Sequence, residues 1–171
     1  MTDLHLSKHF MLSDFLKSRV AQKKGINNYP SMQVICNLQQ TCLNVLEPVA
    51  EHFDATVKVL AGYQCPDIIR ELELPLNSRH LYGEAVDFIV ELPGVKDQLE
   101  SLLAVYGWMC DNCPYDELYL EYVILPEKTL RQHFSRAQAK YPVVPYHFFW
   151  IHVSYRSDES NCHQRRCPVP L

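Results

Sequence analysis

Two short segments carry residues that could do chemistry together. The first is Asn77-Ser78-Arg79-His80-Leu81-Tyr82-Gly83-Glu84-Ala85-Val86-Asp87. Gly83 follows His80 closely and can take backbone angles closed to other residues, so it permits a tight approach. Asp87 falls on a strand-like run whose alternation puts Ala85, Asp87 and Ile89 on one face and Val86, Phe88 and Val90 on the other. A carboxylate in the middle of such an apolar strand is costly to bury unpaired, and a metal ion is one of the few partners that suit it. The second segment is Trp150-Ile151-His152-Val153-Ser154, in which Trp150, His152 and Ser154 share a face. If the two strands are near neighbours, Asp87 and His152 point into one cleft beside His80. Two imidazoles and one carboxylate leave the fourth position of a tetrahedral zinc open to water, as in catalytic sites and unlike closed structural ones. Each residue also has a plainer reading: His80 as a polar loop residue, His152 as a hydrogen-bonded core histidine, Asp87 as the partner of an arginine.

Local patterns indicate the elements that must position these groups. Leu12 to Leu16 reads as a helix start with Ser13 at the N-cap, an acceptor for otherwise unpaired backbone N–H groups. Gly25 to Pro30 is a breaker-rich loop. From Ser31 to about Phe53, Met32, Ile35, Leu38, Cys42, Val45, Val49 and Phe53 recur at helical spacing. Pro48 lies inside that run and should bend or interrupt it. Val57 to Leu60 reads as a strand followed by a turn at Gly62-Tyr63. Ala85 to Leu92, Glu117 to Leu125 and Phe148 to Tyr155 are strand-like, and Val95 to Trp108 is helical in pattern. Pro126 to Pro145 has the look of an insertion, with a short helix near Leu130 to Ala139. Helices that precede and interrupt a few non-repeating strands predict an α+β fold: a small central antiparallel sheet flanked by helices, with the metal site in a cleft on the sheet. No repeat or linker divides the chain, so residues 1–171 form one expected domain.

Composition narrows the partners. The formal net charge is −4 over 171 residues, without a basic cluster, which argues against nucleic acid, because phosphate binding draws on grouped Lys and Arg. No apolar run approaches the roughly twenty residues needed to span a bilayer, so membrane insertion is not expected. The first residues lack a basic leader and an apolar core, so synthesis in the cytoplasm without a signal peptide is expected. The seven cysteines are an odd number, and with no export signal a disulfide framework is a poor default. Cys36 and Cys42 lie within the helical apolar pattern and read as small buried hydrophobes. Cys110, Cys113, Cys162 and Cys167 form two close pairs that could build a second, structural zinc site. The looser second spacing and the distance between the pairs favour free thiols.

Ser78, His80, Gly83, Ala85 and Asp87 match the Ser-x-His-x-x-Gly-x-Ala-x-Asp signature of zinc D-alanyl-D-alanine carboxypeptidases and phage murein endopeptidases, the VanY-like peptidases. Trp150-Ile151-His152 resembles the closing Trp-x-His segment of that family. Phe10 to Phe15 is similar to its opening Phe-x-Leu-Ser-Glu-Phe, and Asn37-Leu38 with Val45-Leu46-Glu47-Pro48 to its long helix. Gly62-Tyr63 and Tyr115-Asp116-Glu117-Leu118 correspond to its Gly-Tyr-Arg turn and Phe-Asp-Gln-Leu strand. Several ordered matches are far more specific than any one motif.

The resemblance implies one catalytic zinc held by His80, Asp87 and His152, and hydrolysis of peptidoglycan stem peptides or cross-links as an endopeptidase or D,D-carboxypeptidase. Zinc acidifies a bound water and polarises the carbonyl, and a base moves the proton to the leaving amine. Glu121 is the first candidate for that base, since similar proteins carry a glutamate on this strand, and His147 is the competitor. Ser78, Gln64 and Trp150 are the expected substrate-binding residues. Gln64 stands where the family has arginine, which removes a cation expected near the substrate carboxylate or oxyanion; Arg79 or Arg70 are possible substitutes. Small size without a leader suits a phage-type lysis enzyme (endolysin) acting at the cell wall or periplasm, released by a separate pore protein. The alternative is a non-catalytic cell-wall-binding or virion-associated module that keeps the peptidase fold.

Overall fold

The computed structural model describes residues 3–125, 146–158 and 160–168. Six α-helices lie within it: α1 (Leu12–Phe15), α2 (Arg19–Lys24), α3 (Met32–Thr41), α4 (Glu47–Phe53), α5 (Pro66–Glu71) and α6 (Gln98–Asn112). The strands are β1 (Thr56–Ala61), β2 (Ala85–Glu91), β3 (Glu117–Leu125), β4 (Tyr146–Ser154) and β5 (Gln164–Arg166). They form one open sheet in the order β1-β2-β4-β3-β5. The expected α+β architecture is thus present, with one departure. β1–β2, β2–β4 and β3–β4 pair antiparallel, whereas β5 joins β3 in parallel. Among the described residues no helix is long and apolar enough to cross a membrane.

Alternation along the strands divides the sheet into two faces. Val86, Phe88, Val90, Leu118, Leu120, Ile151 and Val153 are all buried, and they join Leu102, Val105, Tyr106 and Met109 of α6 in one core. The opposite face carries Asp87, Tyr119, Glu121, Trp150 and His152, only partly buried, and there the chemistry lies.

Several helix boundaries differ from expectation for local reasons. Met11, in extended conformation, caps α1, and Ser13 sits inside it; the Asp14 carboxylate accepts the Met11 N–H at 3.1 Å. An acid in the first turn can do this by reaching back to the cap. α6 begins at Gln98, where the Asp97 side chain accepts the Glu100 N–H at 3.0 Å. The long apolar helix is interrupted, as Pro48 implied, by a π-helical turn over Cys42–Leu46 that separates α3 from α4. The Glu47 N–H reaches Cys42 O there, and Pro48 has no N–H to restore the tighter ladder. Cys42 is fully buried as expected, but Cys36 is exposed, because it faces away from the buried Ile35–Leu38–Cys42 stripe. The insertion and the helix expected within it lie outside the described residues.

Candidate metal centre

His80 is carried by a single 3₁₀ turn, Arg79–Tyr82, ended by Gly83 in the left-handed region at φ 68°. A Cβ on Gly83 would lie 2.7 Å from Val34 O, so both the conformation and the space demand glycine. Asn37 fixes the same turn to α3, its Nδ2–H donating to Tyr82 O at 2.8 Å. Packing against α3 therefore sets where His80 points.

The loop after β1 decides which nitrogen His80 presents. Its Nδ1–H donates to the Gly62 carbonyl at 2.7 Å, leaving Nε2 toward the open face. That bond fixes the tautomer, as an outer-shell carbonyl does for many ligating histidines. Gly62 is itself pressed on Phe15, whose Cβ would meet an added Cβ at 2.7 Å. Buried Asn28 clamps the loop: its Nδ2 donates to Leu16 O and Tyr63 O at 3.1 and 3.0 Å, and its Oδ1 accepts the Cys65 N–H at 2.9 Å. Nothing in the Gly25 to Pro30 composition singles Asn28 out; its role needs partners 12 and 37 residues away.

Strand register supplies the other two groups. Asp87 pairs directly with His152, so their side chains leave the sheet side by side. His152 Nδ1 lies 2.7 Å from Asp87 Oδ1, and His80 Nε2 lies 3.6 Å from the same oxygen. One ligand atom from each of the three residues falls within 4.8 Å of the others, the only such group of metal-ligating side chains found among the described residues. Burial opposes the charged form of Asp87, but the two imidazoles outweigh it and hold the carboxyl well below the usual carboxylate range. Burial likewise opposes a charged His80; the hydrogen bond and charge of Asp87 prevail, with the Gly62 carbonyl and the Glu121 charge adding, and its pKa is raised. A cation could replace the protons that now reconcile these groups.

The remaining candidates separate by face. Glu121 pairs with Trp150 and Tyr119 with His152, which puts Glu121, Tyr119 and Trp150 on the face of the His–Asp–His group. Tyr119 stacks on the His152 ring at 5.9 Å between centroids, a support absent from the expectations. His147 is corrected: five positions from His152 on one strand, it projects from the opposite face, against the Tyr122 and Phe149 rings. Ser78 precedes the 3₁₀ turn, where its carbonyl accepts the Leu81 N–H at 3.1 Å. The Gln64 N–H donates to His80 O at 3.2 Å, next to the Gly62 carbonyl that orients the ring. Both proposed replacements for the missing cation already hold acid partners. Arg79 is paired with Glu84 at 3.0 Å and Asp116 at 3.4 Å, and Arg70 with Asp67 at 2.8 Å. Of the four cysteines considered for a second metal, Cys113 is buried, Cys162 exposed, and Cys110 and Cys167 intermediate.

A mixed α+β sheet that converges two imidazoles and a carboxylate on one open face, with a further carboxylate on that face, has the make-up of a metal-dependent hydrolase. The sequence profile of the Peptidase M15 family matches residues 8–106, more than half of the chain. The chain therefore belongs to the peptidase M15 family, and with it to the metallopeptidases. No individual curated protein matches it. The matched stretch contains His80 and Asp87 and ends before β3 and β4, so only the fold brings His152 and Glu121 to the pair.

Proposed function

We propose that this protein is a zinc-dependent peptidase that hydrolyses peptidoglycan stem peptides or their cross-links. One observation carries the reading: His80 Nε2 and His152 Nδ1 both approach Asp87 Oδ1 on the open face of the sheet. The donor set fits zinc, with neutral imidazole and carboxylate ligands and room for a fourth. When bound there, zinc supplies Lewis acidity to a carbonyl oxygen and to a water. Glu121, on the same face, takes the proton from the attacking water on its carboxylate and hands it to the departing amine. Gly62 and Asn28 keep His80 in one tautomer, and Tyr119 holds the plane of the His152 ring. Family membership supports peptide hydrolysis; the cell-wall substrate rests on the likeness of the motifs to peptidoglycan-cutting enzymes.

A second reading keeps the fold and metal but not the reaction, as a cell-wall-binding module. Gln64 favours it, since its side chain brings no charge and its Oε1 is buried with no partner among the described residues. Zinc content measured alongside release of new amino groups from purified peptidoglycan separates the two. We expect about one zinc per chain and measurable cleavage. Bound zinc with no cleavage, where a reference peptidase works, would sink the enzymatic reading.

A further inference from the structure

One cation on the site face remains unassigned. In the parallel β3–β5 pair Tyr119 is opposite Arg166, and in β3–β4 Tyr119 is opposite His152, which is opposite Asp87. Asp87, His152, Tyr119 and Arg166 thus form one row across four strands. The Arg166 guanidinium lies over the Tyr119 ring, 5.1 Å from its centroid, while the other end of the row begins with the metal-ligating group. Its Nη2 makes one long contact, 3.4 Å to Glu121 Oε1, and no other acceptor engages it among the described residues. A planar guanidinium has five N–H donors in a fork that matches a carboxylate, so a single loose contact leaves most of its capacity open.

The space beside it suits a ligand. A cavity of about 570 Å³ is lined by Glu121, Trp150, Arg166 and Pro168 among others. A guanidinium that borders this cavity with most of its donors unengaged, where Glu121 is the one acid among the lining residues, suits an acceptor-rich anion.

We propose that Arg166 is a specificity-determining residue that binds a carboxylate of the peptide substrate in this cavity. Without substrate, Arg166 rests on Glu121; a substrate carboxylate competes for the guanidinium and leaves Glu121 unpaired, ready to accept a proton. This rests on the peptidase reading for its substrate, but its test does not require turnover.

The probes are N-acetyl-D-alanyl-D-alanine and its C-terminal amide, titrated calorimetrically into the zinc-loaded protein. The free acid should bind at least about tenfold tighter than the amide, in keeping with a charge-assisted contact. Arg166→Ala should erase that preference, Arg166→Lys should keep part of it, and Glu121→Gln should tighten the acid by removing its competitor. Equal affinity for acid and amide, a preference that survives Arg166→Ala, or acid binding no tighter in Glu121→Gln would each overturn the proposal. Acid preference dependent on Arg166 in a protein that cleaves no peptidoglycan would retain this subsite and reject the peptidase reading. Cleavage with no acid preference would do the reverse.

Discussion

Two histidine–carboxylate groups in this protein use the same chemistry for opposite ends. At the start of α4, Glu47 divides its oxygens between two donors of one residue: Oε1 accepts the His9 N–H at 2.8 Å, and Oε2 faces His9 Nδ1 at 2.6 Å. At the centre of the sheet, Asp87 receives two imidazoles on the same oxygen, and no described residue donates a hydrogen bond to its Oδ2. The first arrangement satisfies a buried carboxylate and ties the N-terminal segment to α4. The second brings two imidazoles and a carboxylate together at one point on the open face of the sheet. A fully distributed carboxylate is a fastening; one on which basic groups converge is a place for a cation.

Removing a ligand should break the comparison most sharply. His80→Ala or Asp87→Ala should abolish zinc binding, read by elemental analysis. Peptidase activity should drop on the order of 10³-fold, the loss of several kcal/mol of charge stabilisation at about 1.4 kcal/mol per decade. The far-UV spectrum should stay native, because the sheet's core lies on its other face. Metal retention with full activity in His80→Ala would end the assignment.

Next in size is the proposed base. Glu121→Gln should cost about 10²- to 10⁴-fold in kcat while zinc content is unchanged. His147→Ala, on the opposite face, should change kcat less than about twofold, in line with a surface substitution. A reversal of these two effects would mean that the register of β3 and β4 differs in solution.

At Glu47 the expected effect moves from activity to stability. Glu47→Gln should lower unfolding free energy by about 1–3 kcal/mol, read by denaturant titration, with zinc content intact. Loss of metal in this variant would show that the fastening and the metal centre are coupled.

The smallest effect is a dependence on pH. Burial works to raise the Glu47 pKa, and the Ser7 side chain with the two His9 donors outweighs it, so the folded carboxyl is held below its ordinary value. Such a group contributes stability that is fully present above the unfolded pKa of about 4.3 and is lost as pH falls through the lower folded value. The stability gap between wild type and Glu47→Gln should therefore be widest near neutrality and shrink below about pH 4. A gap that widens in acid would reverse the sign of the shift.

The strands were largely legible because each is a local pattern: β3 spans Glu117–Leu125 as its alternation implies, and β2 ends at Glu91, one residue short of the expected Leu92. The misplaced cap at Ser13 shows the limit of that reading. Ser13 has the chemistry of a cap, but the Met11 amide was closer to an acid that could hold it. β5 escaped notice because three residues with no apolar face carry no periodicity; they are a strand only because β3 has a free edge. Arg166 escaped with it, and Tyr119 read as one more aromatic on a strand.

By itself, the sequence determined the short-range part of the site. His80, Gly83 and Asp87 occupy one turn and the strand that follows, so their spacing along the chain already constrains their spacing in space. It also determined which residues of each strand share a face, since side chains alternate with a period of two. Only the tertiary structure decided which strands meet, and in what register. Pairing Asp87 with His152, His152 with Tyr119 and Tyr119 with Arg166 joins residues far apart in the chain, and a slip of one residue would turn a whole strand's side chains to the other face. That register kept Glu121 on the face of the His–Asp–His group and sent His147 to the other, a choice that no local pattern contains.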